Sequence, residues 1–351
     1  MAHGMSPSPG FAFAAIGLNH GHIYGQTQVM LDAGCRLKSF FAPDDDLAAA
    51  YSKAFPDAKR VGDEGAILDD PEIRLVIGAG ILAERAPMAV RAMHHGKDVM
   101  LDKPGATTLD QLAELRRAQA ETGRVLSILY SEHYTQPATI AAGELVKAGA
   151  IGRVLQTIGL GPHRIGNYQR PDWFYRRDTT GGILCDIGSH QVEQFLFFTG
   201  SEKAEIVASH IANFDHPDTP EFEDFGQILV ASDHATGFVR VDWFTPDGLP
   251  VWGDGRLFLL GTEGTIELRK YVDIAGRPGA DHLFLSDGKG VRHIDCARTK
   301  IVYGEQLRDD ILNRTETAMK QVHCFYATEL ALVAQAKAAR IGGRRPTERA
   351  A

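Results

Sequence analysis

The stretch that decides the fold lies near the start of the chain and reads Phe11-Ala12-Phe13-Ala14-Ala15-Ile16-Gly17-Leu18-Asn19-His20-Gly21-His22-Ile23-Tyr24-Gly25. Its first six residues are continuously apolar and stop at a glycine, which is typical of a central strand in a parallel sheet. A tight turn and a helical stretch follow. Together they would bring backbone N–H groups and a helix N-terminus to one place, where a pyrophosphate binds favourably. The stretch therefore predicts a dinucleotide-binding unit.

The glycine fingerprint of such a turn, G-x-G-x-x-G, is altered in this chain. Gly17 takes its first position, but Asn19 and His22 take the second and third. Asparagine tolerates a positive backbone dihedral better than most residues, so the turn remains feasible. His20 and His22 fit a structural role as well as one that faces the cofactor. We expect cofactor contacts from the whole turn: Gly17, Leu18, Asn19, His20, Gly21 and His22.

Strand and helix signals alternate after this turn. Apolar runs predict strands at 37–42, 75–77, 98–101 and 125–130, and helical patterns predict helices at 45–55, 83–95 and 109–122. Repeated strand-helix units predict a doubly wound parallel sheet whose ligand crevice lies at the carboxyl ends of the strands. Ala79 and Arg85, which follow one of these strands, are therefore further candidates for cofactor contact.

The end of the second strand decides how an adenosine ribose is held. An acidic residue is expected there, but the position is Ala42, followed by Pro43 and Asp44. Asp44 could serve in its place, so Ala42 and Asp44 are both candidates. The sequence does not separate NAD from NADP.

Asp102, Lys103, Pro104 and Gly105 follow the strand at 98–101. Pro104 disfavours helical geometry at Lys103. The Lys103 ammonium would then be held in a fixed place at the crevice, although a lysine before a proline is also common on protein surfaces. We predict that Asp102 and Lys103 contact the cofactor.

A second motif reads Gly181-Gly182-Ile183-Leu184-Cys185-Asp186-Ile187-Gly188-Ser189-His190. If the run from Asp186 is helical, Asp186 and His190 project from the same face, where a carboxylate can hold an imidazole. This is a possible acid/base pair, and its alternative is a surface pair or a buried structural histidine. The long loop before the motif adds candidate substrate contacts, and Tyr130 joins them from the end of the preceding sheet: Tyr130, His163, Arg164, Trp173 and Arg176.

The second half of the chain predicts a different kind of sheet. Strands are expected at 154–160, 205–213, 226–231, 235–244, 256–260, 264–269 and 282–286, separated by turn signals. We predict an α+β domain with a large, mostly antiparallel open sheet, through which the chain forms a homodimer or homotetramer. The expected organisation is a flexible leader at 1–10, a dinucleotide-binding domain at 11–134, a substrate and oligomerisation domain at 135–336, and a flexible tail at 337–351.

The bulk composition excludes several classes of protein. The 351 residues carry a formal charge of −8 and no long basic stripe before the last twelve residues, so nucleic acid is not an expected partner. No apolar run is long enough to cross a membrane. The four cysteines are far apart and form no Cys-x-x-Cys pair, which favours a reducing, cytoplasmic setting. His20, His22, His163 and His190 have no spacing that enforces a zinc site, so we expect no metal.

The two motifs, in this order and spacing, make the chain resemble the glucose-fructose oxidoreductase / inositol dehydrogenase family (Gfo/Idh/MocA) over about residues 11–336. The resemblance implies a Rossmann-type sheet, NAD or NADP as cofactor, and a sugar or polyol as substrate. It also implies that Lys103 lies beside the nicotinamide and substrate, while Asp186 and His190 bind substrate hydroxyls. Asp102 stands where the family usually has Glu, and Arg85 where it often has His.

The resemblance leads to a main hypothesis and two alternatives. The main one is hydride transfer between NAD(P) and a secondary hydroxyl or carbonyl, with His190 as acid/base and Lys103 stabilising negative charge on oxygen. The first alternative is an enzyme that keeps its cofactor tightly bound and uses transient oxidation for elimination, hydrolysis or isomerisation. The second is a dinucleotide-binding sensor without catalysis.

Overall fold

The computed structural model describes residues 10–166 and 170–342. Most of the predicted leader and the end of the predicted tail lie outside the described residues. Of those described, 10–106, 110–129 and 302–325 form a first compact unit, and the others form a second. The predicted boundary at residue 134 is therefore five residues late, and residues 302–325 belong to the first unit instead of the second.

A parallel sheet forms the centre of the first unit. Its described strands follow the order β3-β2-β1-β4-β5-β6, and every pairing between them is parallel. β1 and β5 are buried along their whole length, as continuous apolar runs require. The predicted doubly wound sheet is confirmed, with strands β1 (Ala12–Ile16), β2 (Arg36–Phe41), β3 (Lys59–Arg60), β4 (Ile73–Gly78), β5 (Asp98–Asp102) and β6 (Leu126–Leu129).

Helices connect these strands and return the chain to the same edge of the sheet. They are α1 (His22–Asp32), α2 (Asp45–Ala54), α3 (Gly65–Leu68), α4 (Leu82–His94) and α5 (Leu109–Thr122). The unit also includes a late helix, α11 (Tyr303–Asn313). At Gly304 a Cβ would lie 2.4 Å from the Val29 carbonyl oxygen, so the α11 backbone lies directly against α1. This contact between distant segments explains why the sequence pattern assigned α11 to the wrong unit.

The second unit contains a large open sheet. Among the described residues its order is β14-β13-β12-β11-β7-β10-β9-β8-β15, antiparallel except for the pairs β7·β10 and β8·β15. The predicted mostly antiparallel sheet is confirmed. Its strands are β7 (Val154–Pro162), β8 (Glu205–Ala212), β9 (Phe225–Ala231), β10 (Thr236–Asp242), β11 (Arg256–Gly261), β12 (Gly264–Arg269), β13 (His282–Asp287), β14 (Gly290–Asp295) and β15 (Ala339–Arg340).

One face of this sheet is covered by helices of the same unit. Side chains alternate between buried and accessible along β10 and β11, as expected for a sheet with one covered face. The core beneath it includes Ile151, Phe198, Leu259 and Leu283. The helices of this unit are α6 (Ser131–Tyr134), α7 (Pro137–Lys147), α8 (Arg177–Thr180), α9 (Ile183–Asp186), α10 (Gly188–Thr199) and the end of α12 (Gln321–Lys337).

Three strands were not anticipated: β14, and the two-residue strands β3 and β15. β14 follows a turn at residues 288–289 and pairs with β13. β15 lies within the predicted flexible tail, where residues 339–340 pair with His210 and Ile211 of β8. A two-residue strand has too little pattern to be found from sequence. Of the helices in the described residues, none is both long and apolar enough to cross a membrane.

Candidate functional site

The turn after β1 rests on the turn after β4. Gly17 has a φ of +81°, and a Cβ there would lie 2.9 Å from the Gly80 Cα. Ala79 donates its N–H to the Gly17 carbonyl at 3.1 Å, and its own carbonyl accepts from His20 N–H at 2.8 Å. Only glycine satisfies both the dihedral and the close approach at position 17. At the carboxyl edge of the sheet, beside the N-terminus of α1, these two turns therefore pack backbone against backbone.

Both histidines of the turn lie beside Asp102, the last residue of β5. The His22 Nδ1 is 3.0 Å from Asp102 Oδ1, so the ring donates to the carboxylate there, and His20 Nδ1 is 3.6 Å from the other oxygen. Burial and the neighbouring His22 lower the pKa of His20, although Asp102 acts against them. Burial alone would raise the pKa of Asp102, but His22 and Arg85 hold it well below its usual range. Asp102 is thus a buried anion surrounded by cationic or polar neighbours.

Arg85 is buried in the first turn of α4. Its Nε donates to the Gly80 carbonyl at 2.9 Å, and its Nη1 donates to the Lys103 carbonyl and lies 3.1 Å from Asp102 Oδ2. Lys103 is itself only 3% exposed, at the carboxyl end of β5. The structure thus brings together the turn residues, Arg85, Asp102 and Lys103, all predicted from the sequence as cofactor contacts.

Within the described residues, one group of three has metal-ligating atoms close together. The ligand atoms of His20, His22 and Asp102 all lie within 4.8 Å of one another. The Arg85 guanidinium lies against the Asp102 carboxylate as well, and the backbone N–H of His22 already donates to His20 Nδ1 at 3.2 Å. A fixed cation and occupied nitrogen atoms disfavour a second cation, so the donor set does not fit a zinc site well.

The end of β2 carries no acidic side chain. Ala42 is buried, and its carbonyl accepts from Arg60 Nη2 at 3.0 Å. The same nitrogen lies 2.7 Å from Asp45 Oδ1. Asp44, which the sequence offered as a substitute, accepts the Leu47 N–H at 2.9 Å and caps α2. One carboxylate oxygen of Asp44 is therefore already used in holding the helix.

In the second unit, the Gly-Gly motif precedes the four-residue helix α9, which the twelve-residue helix α10 follows. Gly181 and Gly182 have φ values of +77° and +94°, which favour glycine strongly. The expected single helix from Asp186 is wrong in detail, because α9 ends at Asp186 and α10 begins at Gly188. Hydrogen bonding nevertheless continues through the junction, where His190 N–H donates to the Ile187 carbonyl at 3.2 Å.

Side chains distant in sequence hold the start of α9. The Gln335 Oε1 accepts from the N–H groups of Leu184 and Cys185, at 2.8 and 3.2 Å, and Glu223 Oε2 accepts from Ile183 N–H at 2.8 Å. The first N–H groups of a helix have no acceptor within the helix, so these two side chains supply the acceptor oxygens. Glu223 lies 40 residues from Ile183 and Gln335 lies 151 residues from Leu184, and no sequence signal pointed to either side chain.

His190 is 2% exposed, and its ring centroid lies 6.2 Å from that of Tyr130 in an edge-to-face arrangement. The Tyr130 hydroxyl lies 3.0 Å from Thr328 Oγ1. The structure thus brings together two of the predicted substrate residues, Tyr130 and His190. Thr328 gives the buried Tyr130 hydroxyl the polar partner that such a group needs.

A buried polar network that sequence reasoning missed surrounds α10. Lys270 Nζ donates to Glu132 Oε2 at 2.8 Å and to Gln194 Oε1 at 2.9 Å, and Gln191 Nε2 donates to the same Glu132 oxygen at 2.8 Å. Burial alone would raise the pKa of Glu132, but the Lys270 ammonium, with smaller contributions from His190 and His163, holds it well below its usual range. Glu132 therefore stays ionised in the region around His190.

The remaining predicted substrate residues are dispersed in the second unit. The His163 ring lies 5.4 Å from Trp243 and 4.5 Å from Trp252, measured between centroids. Arg164 donates to the Pro246 carbonyl at 2.8 Å. Arg176 pairs with Asp178 at 2.5 Å and is largely exposed. Trp173 contacts the neighbouring Phe174 ring at 6.3 Å. The charge of His163 contributes to the lowered pKa of Glu132.

Family models match both units. Residues 12–130 match a model described as "Oxidoreductase family, NAD-binding Rossmann fold", and residues 139–267 match "GFO/IDH/MocA C-terminal domain". Among solved structures, a protein from Erwinia carotovora atroseptica is 46% identical, with a TM-score of 0.92 over 95% of this chain and 100% of that one. Levoglucosan dehydrogenase in complex with NADH and levoglucosan shares the fold, with a TM-score of 0.78 at 18% identity, over 93% of this chain and 97% of that one.

Relatives with assigned activities are more distant in sequence. A D-xylose dehydrogenase from Paenarthrobacter nicotinovorans is 29% identical over 36% of this chain and 34% of its own length. An NADP(+)-dependent scyllo-inositol 2-dehydrogenase from Bacillus subtilis is 28% identical over 50% of this chain and 49% of its own. The matched region thus spans half or less of these two relatives. An NAD(+)-dependent scyllo-inositol 2-dehydrogenase from the same organism matches at 24% identity over 78% of this chain and 79% of its own.

Proposed function

The chain belongs to the Gfo/Idh/MocA family of oxidoreductases, and from that premise we propose that it transfers hydride between NAD or NADP and a secondary hydroxyl or carbonyl of a sugar or polyol. The observation that carries the proposal is the buried Lys103 at the carboxyl end of β5, beside a glycine turn docked on bare backbone. In a parallel sheet of this kind, ligands bind at that edge. The relatives with assigned activities, which act on xylose and inositol, support the substrate class.

The residues present fit a dinucleotide. Gly17 and Gly80 let the two turns at the carboxyl edge lie against each other without side chains between them, and the N-terminus of α1 and the Lys103 ammonium favour an anionic ligand. The turn residues 17–22, with Ala42, Asp44 and Ala79, would hold the cofactor. When bound, the nicotinamide supplies the hydride acceptor or donor.

We assign the chemistry on the substrate to three side chains. His190 takes the proton from the reacting hydroxyl, or returns it in the reverse direction. Asp186 accepts a hydrogen bond from a substrate hydroxyl, and Tyr130, His163, Arg164, Trp173 and Arg176 are the candidates for holding the rest of the molecule. Lys103 stabilises the negative charge that develops on the substrate oxygen.

A substrate screen tests this proposal. Purified protein would be assayed with NAD+ and NADP+ against inositols, hexoses and sugar acids, by following reduced nicotinamide. His190→Ala and Lys103→Ala should each lower kcat by about 10²- to 10⁴-fold, the usual value of a positioned acid/base or charge. His94→Ala and Lys53→Ala, on exposed helical positions, are the matched controls. Full activity in the His190 or Lys103 variant would overturn the assignment, and turnover without net change in nicotinamide redox state would favour transient oxidation.

We also propose that the open face of the second sheet joins two or four copies of the chain. Leu229 and Leu260 are 40% and 44% exposed on this face, which also carries Ile158 of β7, Phe258 of β11 and Phe284 of β13. An apolar surface of this kind is typical of an interface between subunits. Light scattering should show an oligomer whose mass falls to that of a monomer in Leu229→Glu/Leu260→Glu; a wild-type monomer would refute the proposal.

The four cysteines, all buried and free of disulfides, support a cytoplasmic location.

A further inference from the structure

Arg85 makes three polar contacts that join the ends of two strands. Its Nε donates to the carbonyl of Gly80, in the turn after β4, at 2.9 Å. Its Nη1 donates to the carbonyl of Lys103, after β5, and lies 3.1 Å from Asp102 Oδ2. The guanidinium thus connects the turn that supports Gly17 with the segment that carries the proposed charge-stabilising lysine.

The burial of Arg85 explains why these contacts are strong. The side chain is 1% exposed, and a buried cation is tolerated only when it is paired and hydrogen-bonded. Asp102 provides the negative charge, and the Gly80 and Lys103 carbonyls accept from Nε and Nη1, whereas Nη2 is buried without a hydrogen-bond partner among the described residues. A guanidinium has its donors in a rigid planar fork, so it can hold two carbonyls and a carboxylate in fixed relative positions. A lysine at the same place has a single ammonium group, which cannot contact both carbonyls and the carboxylate in this geometry.

We propose that Arg85 is a positioning residue for Lys103, acting through the Lys103 carbonyl and Asp102 without touching the substrate. The proposal rests on the function given above, because it presumes that the placement of the Lys103 ammonium matters for the reaction. The main chain at Lys103 is followed by Pro104, which has no N–H to donate. A side-chain anchor on the Lys103 carbonyl therefore restrains a segment with fewer backbone hydrogen bonds of its own.

The first test does not depend on activity. Surface amines of the protein without cofactor would be labelled with an amine-reactive reagent, and the labelling of each lysine followed by mass spectrometry. In Arg85→Lys, labelling of Lys103 should rise several-fold, because the segment is released. Lys97, a second buried lysine of the same unit, is the internal control and should not change. Unchanged labelling of Lys103, or an equal rise at Lys97 that indicates general loosening, would overturn the proposal.

The second test is a double-mutant cycle in kcat, with Arg85→Lys, Lys103→Ala and the double variant. Arg85→Lys alone should lower kcat by about 10- to 100-fold, since a displacement of about 1 Å at a reacting group has this effect. The dissociation constant for NAD(P)H, measured by fluorescence, should change less than about threefold, because the Arg85 side chain is 1% exposed and bonds to Gly80, Asp102 and Lys103. A larger change would instead assign Arg85 the direct cofactor contact predicted from the sequence, and would overturn the positioning role. In the Lys103→Ala background the Arg85 substitution should have no further effect.

Each outcome distinguishes the proposals. Additive losses in the cycle would mean that Arg85 does not act through Lys103, and would overturn the inference while leaving the reaction intact. A fully active Lys103→Ala variant would instead refute the role of Lys103 in the proposed function. Arg91→Lys, on the exposed face of the same helix, is the control for the substitution. If Arg85→Lys does not unfold cooperatively, Arg85→His, which keeps a ring N–H donor, replaces it in both tests.

Discussion

Replacing Lys270 by methionine should destabilise the second unit more than any exposed substitution. Lys270 and Glu132 have side-chain exposures of 0% and 3%, and their charged atoms are 2.8 Å apart. Methionine keeps the aliphatic volume but leaves the Glu132 carboxylate buried without its cation and removes the bond to Gln194. Breaking a buried pair in this way costs about 3–5 kcal/mol, a large part of the 5–15 kcal/mol that holds a typical domain together.

The chain offers a selective optical probe for this experiment. All three tryptophans, Trp173, Trp243 and Trp252, belong to the second unit, so tryptophan fluorescence in guanidinium chloride reports its unfolding. Lys289→Met, in an exposed turn, is the control. The double variant Glu132→Gln/Lys270→Met should lose less free energy of unfolding than Lys270→Met alone, because it leaves no buried charge unpaired. A loss of less than about 1 kcal/mol in Lys270→Met, the size expected of an exposed ion pair, would refute the reasoning.

The stability of the wild type and the stability of Lys270→Met should depend on pH with opposite signs. In the wild type, the pKa of Glu132 is held below its usual range, so its contribution to stability is complete above about pH 4.3, the usual carboxyl pKa, and is lost as the pH falls through the lower folded value. In Lys270→Met, burial without the cation raises the pKa of Glu132 above its unfolded value. The folded variant then binds more protons, and its stability should rise as the pH is lowered from 7 towards 5.

Three further predictions concern other parts of the chain. Gln335→Leu leaves two backbone N–H groups at the start of α9 without this acceptor, and should cost about 1–3 kcal/mol for each group left unpaired, measured by the same fluorescence. Gly17→Ala would bring a Cβ within 2.9 Å of Gly80, and should weaken NAD(P)H binding about tenfold or more, or about 1.4 kcal/mol, whereas Gly62→Ala, in open space, should not. Burial raises the pKa of the Cys296 thiol to about 11, so it should stay unreactive towards a disulfide reagent at pH 8 until the protein is unfolded, and labelling of the folded protein within minutes would contradict this.

The elements with strong periodicity were predictable from the sequence. The run at 11–16 became β1, the two sheets have the predicted character, and the strands of the second unit lie close to their expected positions. These elements follow from local patterns of apolar residues, which a sequence carries directly. The placement of α11 could not be found this way, because it depends on the fit of Gly304 against Val29, two residues with no relation in sequence.

The same division applies to the site. Lys103 and His190 are carried by motifs and could be selected from the sequence, whereas Gln335, Glu223 and Lys270 come from distant segments and have no local signal. The glycines of the second motif also differ in what the fold requires of them. A Cβ at Gly188 would have ordinary contacts, at 3.5 Å or more, while Gly182 has a φ of +94° and a Cβ there would lie 2.6 Å from Arg177 and Gln335.

Two departures from the family pattern turn out to be one interaction. By themselves, His22 in place of a fingerprint glycine counts against the usual cofactor turn, whereas Asp102 in place of glutamate keeps the negative charge. In the structure their atoms lie 3.0 Å apart, and the hydrogen bond ties the first residue of α1 to the end of β5. Aspartate is one methylene shorter than glutamate, which leaves space for an imidazole at this distance. The carboxylate also keeps its other oxygen for Arg85, at 3.1 Å. The altered turn is therefore better described as a replacement of backbone contacts by a side-chain network than as a damaged fingerprint, and Asp102→Glu alone should disturb it because the longer side chain would displace the His22 ring.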